Sequence, residues 1–441
     1  MSSPIIVGGG ISGLSAAAWL DDAIVLESKD TVGGWVQSKE HELGFSLDLA
    51  ANGWLDNEPA VTELIKHLDK SEEVLPASAA RKIRWVYHNN NLIALPAKPP
   101  LILSSPLLSI WSKIRLLWEL FVSRRKDKKE ESVAEFVTRR LGKGVIPTLL
   151  APMTAGVFAA QPEELSLRAA FPILEKMEQE YGSLFKALRN RAKSPPPTLT
   201  SFKSSAGSLC THIANRLGDR LHTNTPAIEI SKEGRIWNIV TPKQTYQTES
   251  LILACPAFVQ SKLLSTIDPE LSALLASIAY TSVALVISIY KREELSPTGF
   301  GALVARGTEL YGALGILFSS CIFPSRYPSQ YTITRTILGG TRYPDIISRS
   351  KEEIAERVQK AHQSVFQKQV HPVDQLVYIH NKAIPLYSVG HAQRQEAIQN
   401  QAQKYSGLQL IGNHLFGVGV KDCIRNGTNA ARRIQESTDK A

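Results

Sequence analysis

Apolar and polar positions alternate along this chain in three ways. Short continuous apolar runs occur at Ile5-Ile6-Val7, Ala23-Ile24-Val25-Leu26 and Leu251-Ile252-Leu253-Ala254, each predicting a buried strand, and Leu408-Gln409-Leu410-Ile411 predicts a final one. Alternating stretches at 227–231 and 235–240, and again at 283–290, 302–304 and 332–338, predict further strands, the later ones forming a largely antiparallel sheet. Helical spacing governs the rest. Leu107, Ile110, Trp111, Ile114, Trp118 and Phe121 recur on one face of a helix expected to start at Pro106 with Ser105 as its cap. Further helices are expected at 132–140, 183–191, 206–217, 351–366 and 420–434, and Ser194-Pro195-Pro196-Pro197 marks a domain edge.

The first two apolar runs frame a glycine motif. Gly8-Gly9-Gly10-Ile11-Ser12-Gly13 joins strand to helix, and Glu27, followed by Ser28, ends the next strand. Gly8 permits a tight turn, Gly10 lets the backbone approach a pyrophosphate, Gly13 lets helix and strand pack closely, and Glu27 is placed for ribose hydroxyls. Together they predict a Rossmann-like dinucleotide site. No second such motif is present for a nicotinamide cofactor, and Gly33-Gly34-Trp35 follows the acid closely, as in flavoproteins with two dinucleotide motifs. One FAD is therefore expected. Gly412-Asn413 with Gly417-Val418-Gly419-Val420 repeats strand, glycine loop and helix near the other end, where a helix N-terminus suits the negative charge of reduced flavin.

Composition narrows the class. With 441 residues and 43% hydrophobic content the chain can bury two or three domain cores. The four cysteines form no CxxC and the ten histidines no paired spacing, so neither disulfide framework nor metal site is expected. No secretory leader is expected ahead of the first strand. The net charge of +9 concentrates in Arg124-Arg125-Lys126-Asp127-Lys128-Lys129, directly after the Trp111 and Trp118 helix. Lys113, Arg115 and Glu119 make that helix too charged to span a bilayer. It is expected either to lie at an anionic membrane surface or to face a core; nucleic acid is disfavoured.

Ordered blocks carry a family resemblance over nearly the whole chain. Beyond the glycine motifs they are 55–60, Ala155-Gly156-Val157-Phe158-Ala159 with 164–168, 299–303, 314–320, Gly339-Gly340 and 383–387. The chain resembles the oxygen-dependent, FAD-containing protoporphyrinogen oxidases. That resemblance implies an α/β fold: a discontinuous FAD domain (1–80, 201–275, 396–441), an α+β substrate domain (81–100, 276–395) and an inserted helical membrane-binding domain (101–200). It implies FAD contacts at Gly8, Gly10, Ile11, Ser12, Gly13, Glu27, Ser28, Gly33, Gly34, Trp35, Asn52, Gly53, Ile228, His380, Gly412, Asn413, Gly417, Val418, Gly419 and Val420. For the macrocycle it implies Leu303 and Leu317 on one side, Ile337 on the other, Gly156 and Ala159 near the reacting face, and Arg84 for a propionate.

The chemistry implied is hydride transfer from a porphyrinogen meso carbon to the flavin, three times over, with O2 as acceptor and H2O2 as by-product, and no dedicated catalytic side chain. The implied setting is the cytoplasmic face of a membrane, a homodimer in some members and handover of product to ferrochelatase. Three departures stand out: Ala50-Ala51 in place of Gly-Pro, Ile337 in place of phenylalanine and His380 in place of tryptophan. Rival readings are a coproporphyrinogen III oxidase, which wants more pocket cations, a flavin amine oxidase, which wants an aromatic cage, and a non-catalytic porphyrin carrier.

Overall fold

A computed structural model describes residues 2–96, 99–127, 129–191 and 196–438. Lys128 of the basic run and Ser194-Pro195 of the proline break lie outside the described residues. The chain divides into two compact units. One comprises Met1–Pro76, Pro197–Ile278 and Gln393–Ala441, the other Ala77–Pro196 and Ala279–Ala392. Of the helical stretch expected at 101–200, the part up to Pro196 falls in one unit with the large sheet and the rest in the first unit; Leu107 joins Val86 and Ala305 in a small core.

The first unit is built on a parallel five-stranded sheet in the spatial order Leu221–His222, Ile24–Leu26, Ile5–Val7, Leu251–Leu253, Leu408–Leu410. Its three inner strands are short, apolar and almost wholly buried, as strands covered on both faces must be. Helices Ile11–Ala17, Ser208–Leu217 and Val420–Thr438 contribute to the core that covers it. A second sheet of three antiparallel strands, Glu229–Glu233, Ile236–Val240 and Thr245–Thr248, belongs to the same unit.

The second unit centres on a seven-stranded sheet ordered Asp374–Pro385, Tyr280–Lys291, Tyr331–Gly339, Ala313–Leu317, Gly301–Val304, Arg84–His88, Asn91–Ala94. It is antiparallel except where Arg84–His88 runs parallel to Gly301–Val304. Helix Lys351–Phe366 covers one face through Ile354, Val358, Ala361 and Val365, which meet Ala284, Val286, Ala302, Val304, Ile316 and Leu338. On the same helix His362 is fully buried towards the sheet, hydrogen-bonded to the Tyr290 hydroxyl at 2.7 Å and to Thr336 at 2.8 Å. Burial pushes its pKa down to about 3, so it is a neutral core residue.

The tryptophan helix starts later than expected. It spans Ile110–Leu117 with Ser109 as N-cap, accepting from Ser112 N–H at 3.2 Å, and a 3-10 turn follows at Trp118–Phe121. Ser105 and Pro106 precede it, and Leu107 and Leu108 turn inward to 4% exposure each instead of extending the outer face. The core-facing alternative fails. Ile110, Trp111, Ile114, Leu117, Trp118 and Phe121 are all exposed, Trp111 by 77% and Phe121 by 74%, and only Leu116 of the helix is buried. No helix among the described residues is long and apolar enough to cross a membrane.

Candidate active site

Sterics make the dinucleotide cradle in the first unit. Gly8 sits at φ +114° and donates its N–H to Leu26 O at 2.8 Å, turning the chain at the end of its strand. Gly13 is obligatory, since a Cβ there would lie 2.1 Å from Gly8 O. Gly10 is different: a Cβ on it meets nothing within 4 Å, so this backbone borders open space at the start of helix Ile11–Ala17. Ser12 is buried within that helix. Glu27, 9% exposed, accepts from Gly9 N–H at 2.7 Å, Lys29 N–H at 2.9 Å and the Ser28 hydroxyl at 3.1 Å. A carboxylate has about four acceptor sites, which leaves capacity for one ribose hydroxyl.

The second glycine pair closes on the first. Gly33 N–H donates to Gly9 O at 2.8 Å, and Gly33 and Gly34 take φ of +102° and +58°. A Cβ on Gly34 would lie 3.3 Å from Gly10 Cα. Trp35 O accepts Ala51 N–H at 3.0 Å, so the chain that replaces Gly-Pro at Ala50-Ala51 still returns beside this turn. Asn52 carries a buried Nδ2 with no hydrogen-bond partner, an orphan donor that a cofactor oxygen suits. The open space at Gly10, the orphan at Asn52 and the spare capacity of Glu27 all fit an FAD.

Other expected contacts divide. Gly53 has a packing duty, because its Cβ would lie 2.2 Å from Thr200 O on the neighbouring strand. Ile228 is 53% exposed and offers a side chain to a ligand. Gly412 and Gly417, at φ +141° and +111°, shape the Gly412-Asn413 to Gly417-Val418-Gly419-Val420 loop into helix Val420–Thr438. His380 lies in the second unit, opposite Val283 in strand Asp374–Pro385, stacked on Tyr378 with ring centroids 6.4 Å apart.

In the second unit, strand register builds an apolar slot. One row across the sheet reads Val86, Leu303, Gly315, Ile337; the next reads Arg84, Gly301, Leu317, Arg335. Directly opposed residues share a face, so Leu303, Leu317, Ile337 and Arg84 all point away from helix Lys351–Phe366. Burial agrees. In the strands Gly301–Val304, Ala313–Leu317 and Tyr331–Gly339 only Leu303, Leu317, Ile337 and the terminal Tyr331 escape full burial. Helix Ala151–Phe158 supplies a wall on that face: a Cβ on Gly156 would lie 3.0 Å from Leu303 Cδ2, and Met153, Gly156 and Val157 are exposed at i, i+3, i+4 spacing. Arg84 is exposed with its guanidinium 5.3 Å from the Phe300 ring centroid.

Ala159 departs from expectation. It is 2% exposed at φ +51°, ends helix Ala151–Phe158, and its carbonyl accepts Thr341 N–H at 2.8 Å. It stands behind the slot because a left-handed helix terminus packs against Gly340. Sequence reasoning also missed Met153 and Val157, whose spacing about Gly156 was the available signal. Arg335, 3% exposed beside Leu317, was readable as a charge at an alternate position between Ile333 and Ile337.

A parallel-sheet unit with a dinucleotide cradle, and a second unit presenting an aliphatic slot, define an FAD-dependent oxidoreductase. The family model for flavin-containing amine oxidoreductases matches residues 11–435. Protoporphyrinogen oxidase 1 of Arabidopsis thaliana chloroplasts is 31% identical over 472 residues, covering 98% of this chain and 87% of the relative. The Homo sapiens protoporphyrinogen oxidase is 30% identical, covering 97% of each. A crystal structure from Exiguobacterium sp. 255-15, provisionally named protoporphyrinogen oxidase, superposes with TM-score 0.86 at 22% identity over 99% of both chains. Cyclohexylamine oxidase from Brevibacterium oxydans reaches 0.76 at 15% identity over 99% of both, and these two likenesses show the fold. The chain belongs to the flavin-containing amine oxidoreductases, and within them to the protoporphyrinogen oxidases.

Proposed function

We propose that this protein oxidises protoporphyrinogen IX to protoporphyrin IX, passing electrons to O2 with H2O2 as by-product. The observation that carries the reading is the shared sheet face of Leu303, Leu317 and Ile337, left partly open while their strand neighbours are buried. A macrocycle that is apolar over its faces and charged at one edge matches that floor, the thin Gly156 wall and Arg84 at the end of the row. Bound FAD supplies the electron-accepting centre. The slot residues named carry no carboxylate or imidazole, so they bind, orient and exclude water rather than move protons.

The test uses purified holoprotein mixed anaerobically with protoporphyrinogen or coproporphyrinogen, followed by admission of air. Porphyrin fluorescence then rises above the autoxidation control with one peroxide per two electrons. Failure to exceed that control with either substrate sinks the reading. In the same assay Arg84→Ala is expected to raise KM about tenfold while kcat changes little, because an exposed cation binds substrate and transition state alike. Equal kinetics would remove Arg84 from the site.

The exposed face of Ile110, Trp111, Ile114, Trp118 and Phe121, followed in the chain by the basic Arg124-Arg125-Lys126, supports peripheral attachment to an anionic membrane surface, and the side proposed is the cytoplasmic one. Trp111→Ser with Phe121→Ser is expected to weaken sedimentation with anionic vesicles by about tenfold or more, since each aromatic buries ~150–250 Å² on insertion. Unaltered sedimentation would exclude this face.

A further inference from the structure

The loop that enters helix Val420–Thr438 is folded around a carboxylate. A Cβ on Gly417 would lie 2.7 Å from the Asp422 carboxyl carbon, and one on Gly419 2.9 Å from Asp422 Oδ2. Asp422 occupies the first turn of the helix. A negative charge there is welcome to the helix dipole, yet it subtracts from the positive field the N-terminus presents to anything in front of it. Arg425 stands one turn on and covers that charge. Its Nη1 lies 2.9 Å from Asp422 Oδ1 and 2.8 Å from Glu58 Oε2, and its Nη2 donates to Phe416 O at 3.0 Å. Glu58 in turn precedes helix Pro59–His67 as its N-cap residue. One guanidinium therefore joins the loop backbone, the carboxylate inside the loop and a neighbouring helix start.

We infer that Arg425 is a positioning residue for the flavin: it holds the 412–419 loop closed and neutralises Asp422, so that the helix N-terminus keeps its positive field for the reduced cofactor. The inference rests on reading this loop as the second contact of FAD. Removing the guanidinium leaves the Asp422 and Glu58 carboxylates uncompensated beside the loop. Reduced flavin carries more negative charge than oxidised flavin, so the reduced form loses more, and the midpoint potential falls. Asp422→Asn acts in the opposite sense.

The experiment measures the flavin midpoint potential and flavin retention on dialysis for holoprotein carrying Arg425→Met, Asp422→Asn or both. Arg425→Met is expected to lower the potential by about 30 mV, a tenfold change in a two-electron equilibrium. Asp422→Asn raises it, and the double variant returns towards the wild-type value although the ties to Glu58 and Phe416 O stay lost. A purely structural arginine shows no such recovery. If Arg425→Met retains too little flavin to titrate, that loss supports the holding role and Asp422→Asn alone decides the electrostatic one. Unchanged potentials in both single variants, with flavin retained, overturn the inference. Gly10→Val separates the two levels: retention of FAD with that side chain in place would overturn the placement of the cofactor on this cradle, on which the inference rests, whatever the potentials of the Arg425 and Asp422 variants.

Discussion

Arg140→Met is expected to destabilise the protein by about 3–5 kcal/mol, the usual cost of removing one member of a buried ion pair. Arg140 and Glu119 are both 0% exposed and hydrogen-bonded to each other. Arg140 further donates to Val122 O at 2.8 Å and Gly182 O at 2.9 Å, while Glu119 accepts from the Ser183 hydroxyl at 2.6 Å and Leu184 N–H at 2.8 Å. The pair thus ties the turn after the tryptophan helix to two other helices of its unit. Around it Arg139 bonds Glu178 at 2.6 Å and Glu131 at 2.7 Å, holding the Glu178 carboxyl below its ordinary pKa against the upward push of burial. Methionine leaves Glu119 buried with its charge unmatched. The measurement is a thermal melt, with a fall of about 5 °C expected. Adding Glu119→Leu to Arg140→Met removes the stranded charge and recovers part of the loss; a melt indistinguishable from wild type for the single variant would show the pair to be energetically idle.

Gly13→Ala carries the second large effect. The added methyl would lie 2.1 Å from Gly8 O, 3.1 Å from Ala254 Cβ and 3.2 Å from Ile6 Cγ2. Backbone cannot yield as a flexible side chain does, so helix Ile11–Ala17 must move away from its strand, at a cost of about 3 kcal/mol. That movement displaces Gly10 and the cradle with it, and flavin retention falls by about a hundredfold, the same energy expressed as affinity. Both a lowered melting point and colourless protein are expected. Gly10→Val contrasts with it, because Gly10 has φ −72° and open space ahead of its Cβ. That variant loses flavin while the apoprotein melts normally. If Gly13→Ala keeps its flavin at full occupancy, the close approach is not what shapes the site.

Much of this was legible because it is local. Gly8, Gly10, Gly13 and Glu27 declare a dinucleotide cradle through spacing alone, since the steric reasons for each glycine act within a few residues of chain. Helix Lys351–Phe366 appears with the bounds its periodicity predicts. The late start at Ile110 was less legible: Ser105-Pro106 and Ser109 are competing caps, and which one wins depends on Leu107 and Leu108 finding partners elsewhere. Likewise amphipathicity could not say whether Trp111 and Phe121 meet a core or the outside. Strand Asp374–Pro385 was overlooked because it contains charged and polar residues at an edge of the sheet, where period and hydrophobicity are weak guides.

By itself, then, the sequence determined the flavin cradle, the families of strands and helices, and the resemblance that names a macrocyclic substrate. Only tertiary structure decided that Leu303, Leu317 and Ile337 lie open on one face while Ala302, Ile316 and Leu338 are buried on the other. Apolar character is a property of each residue, whereas the face it occupies is set by pairing between strands distant in the chain. That register is also what brings Arg84 into a row with residues more than two hundred positions away.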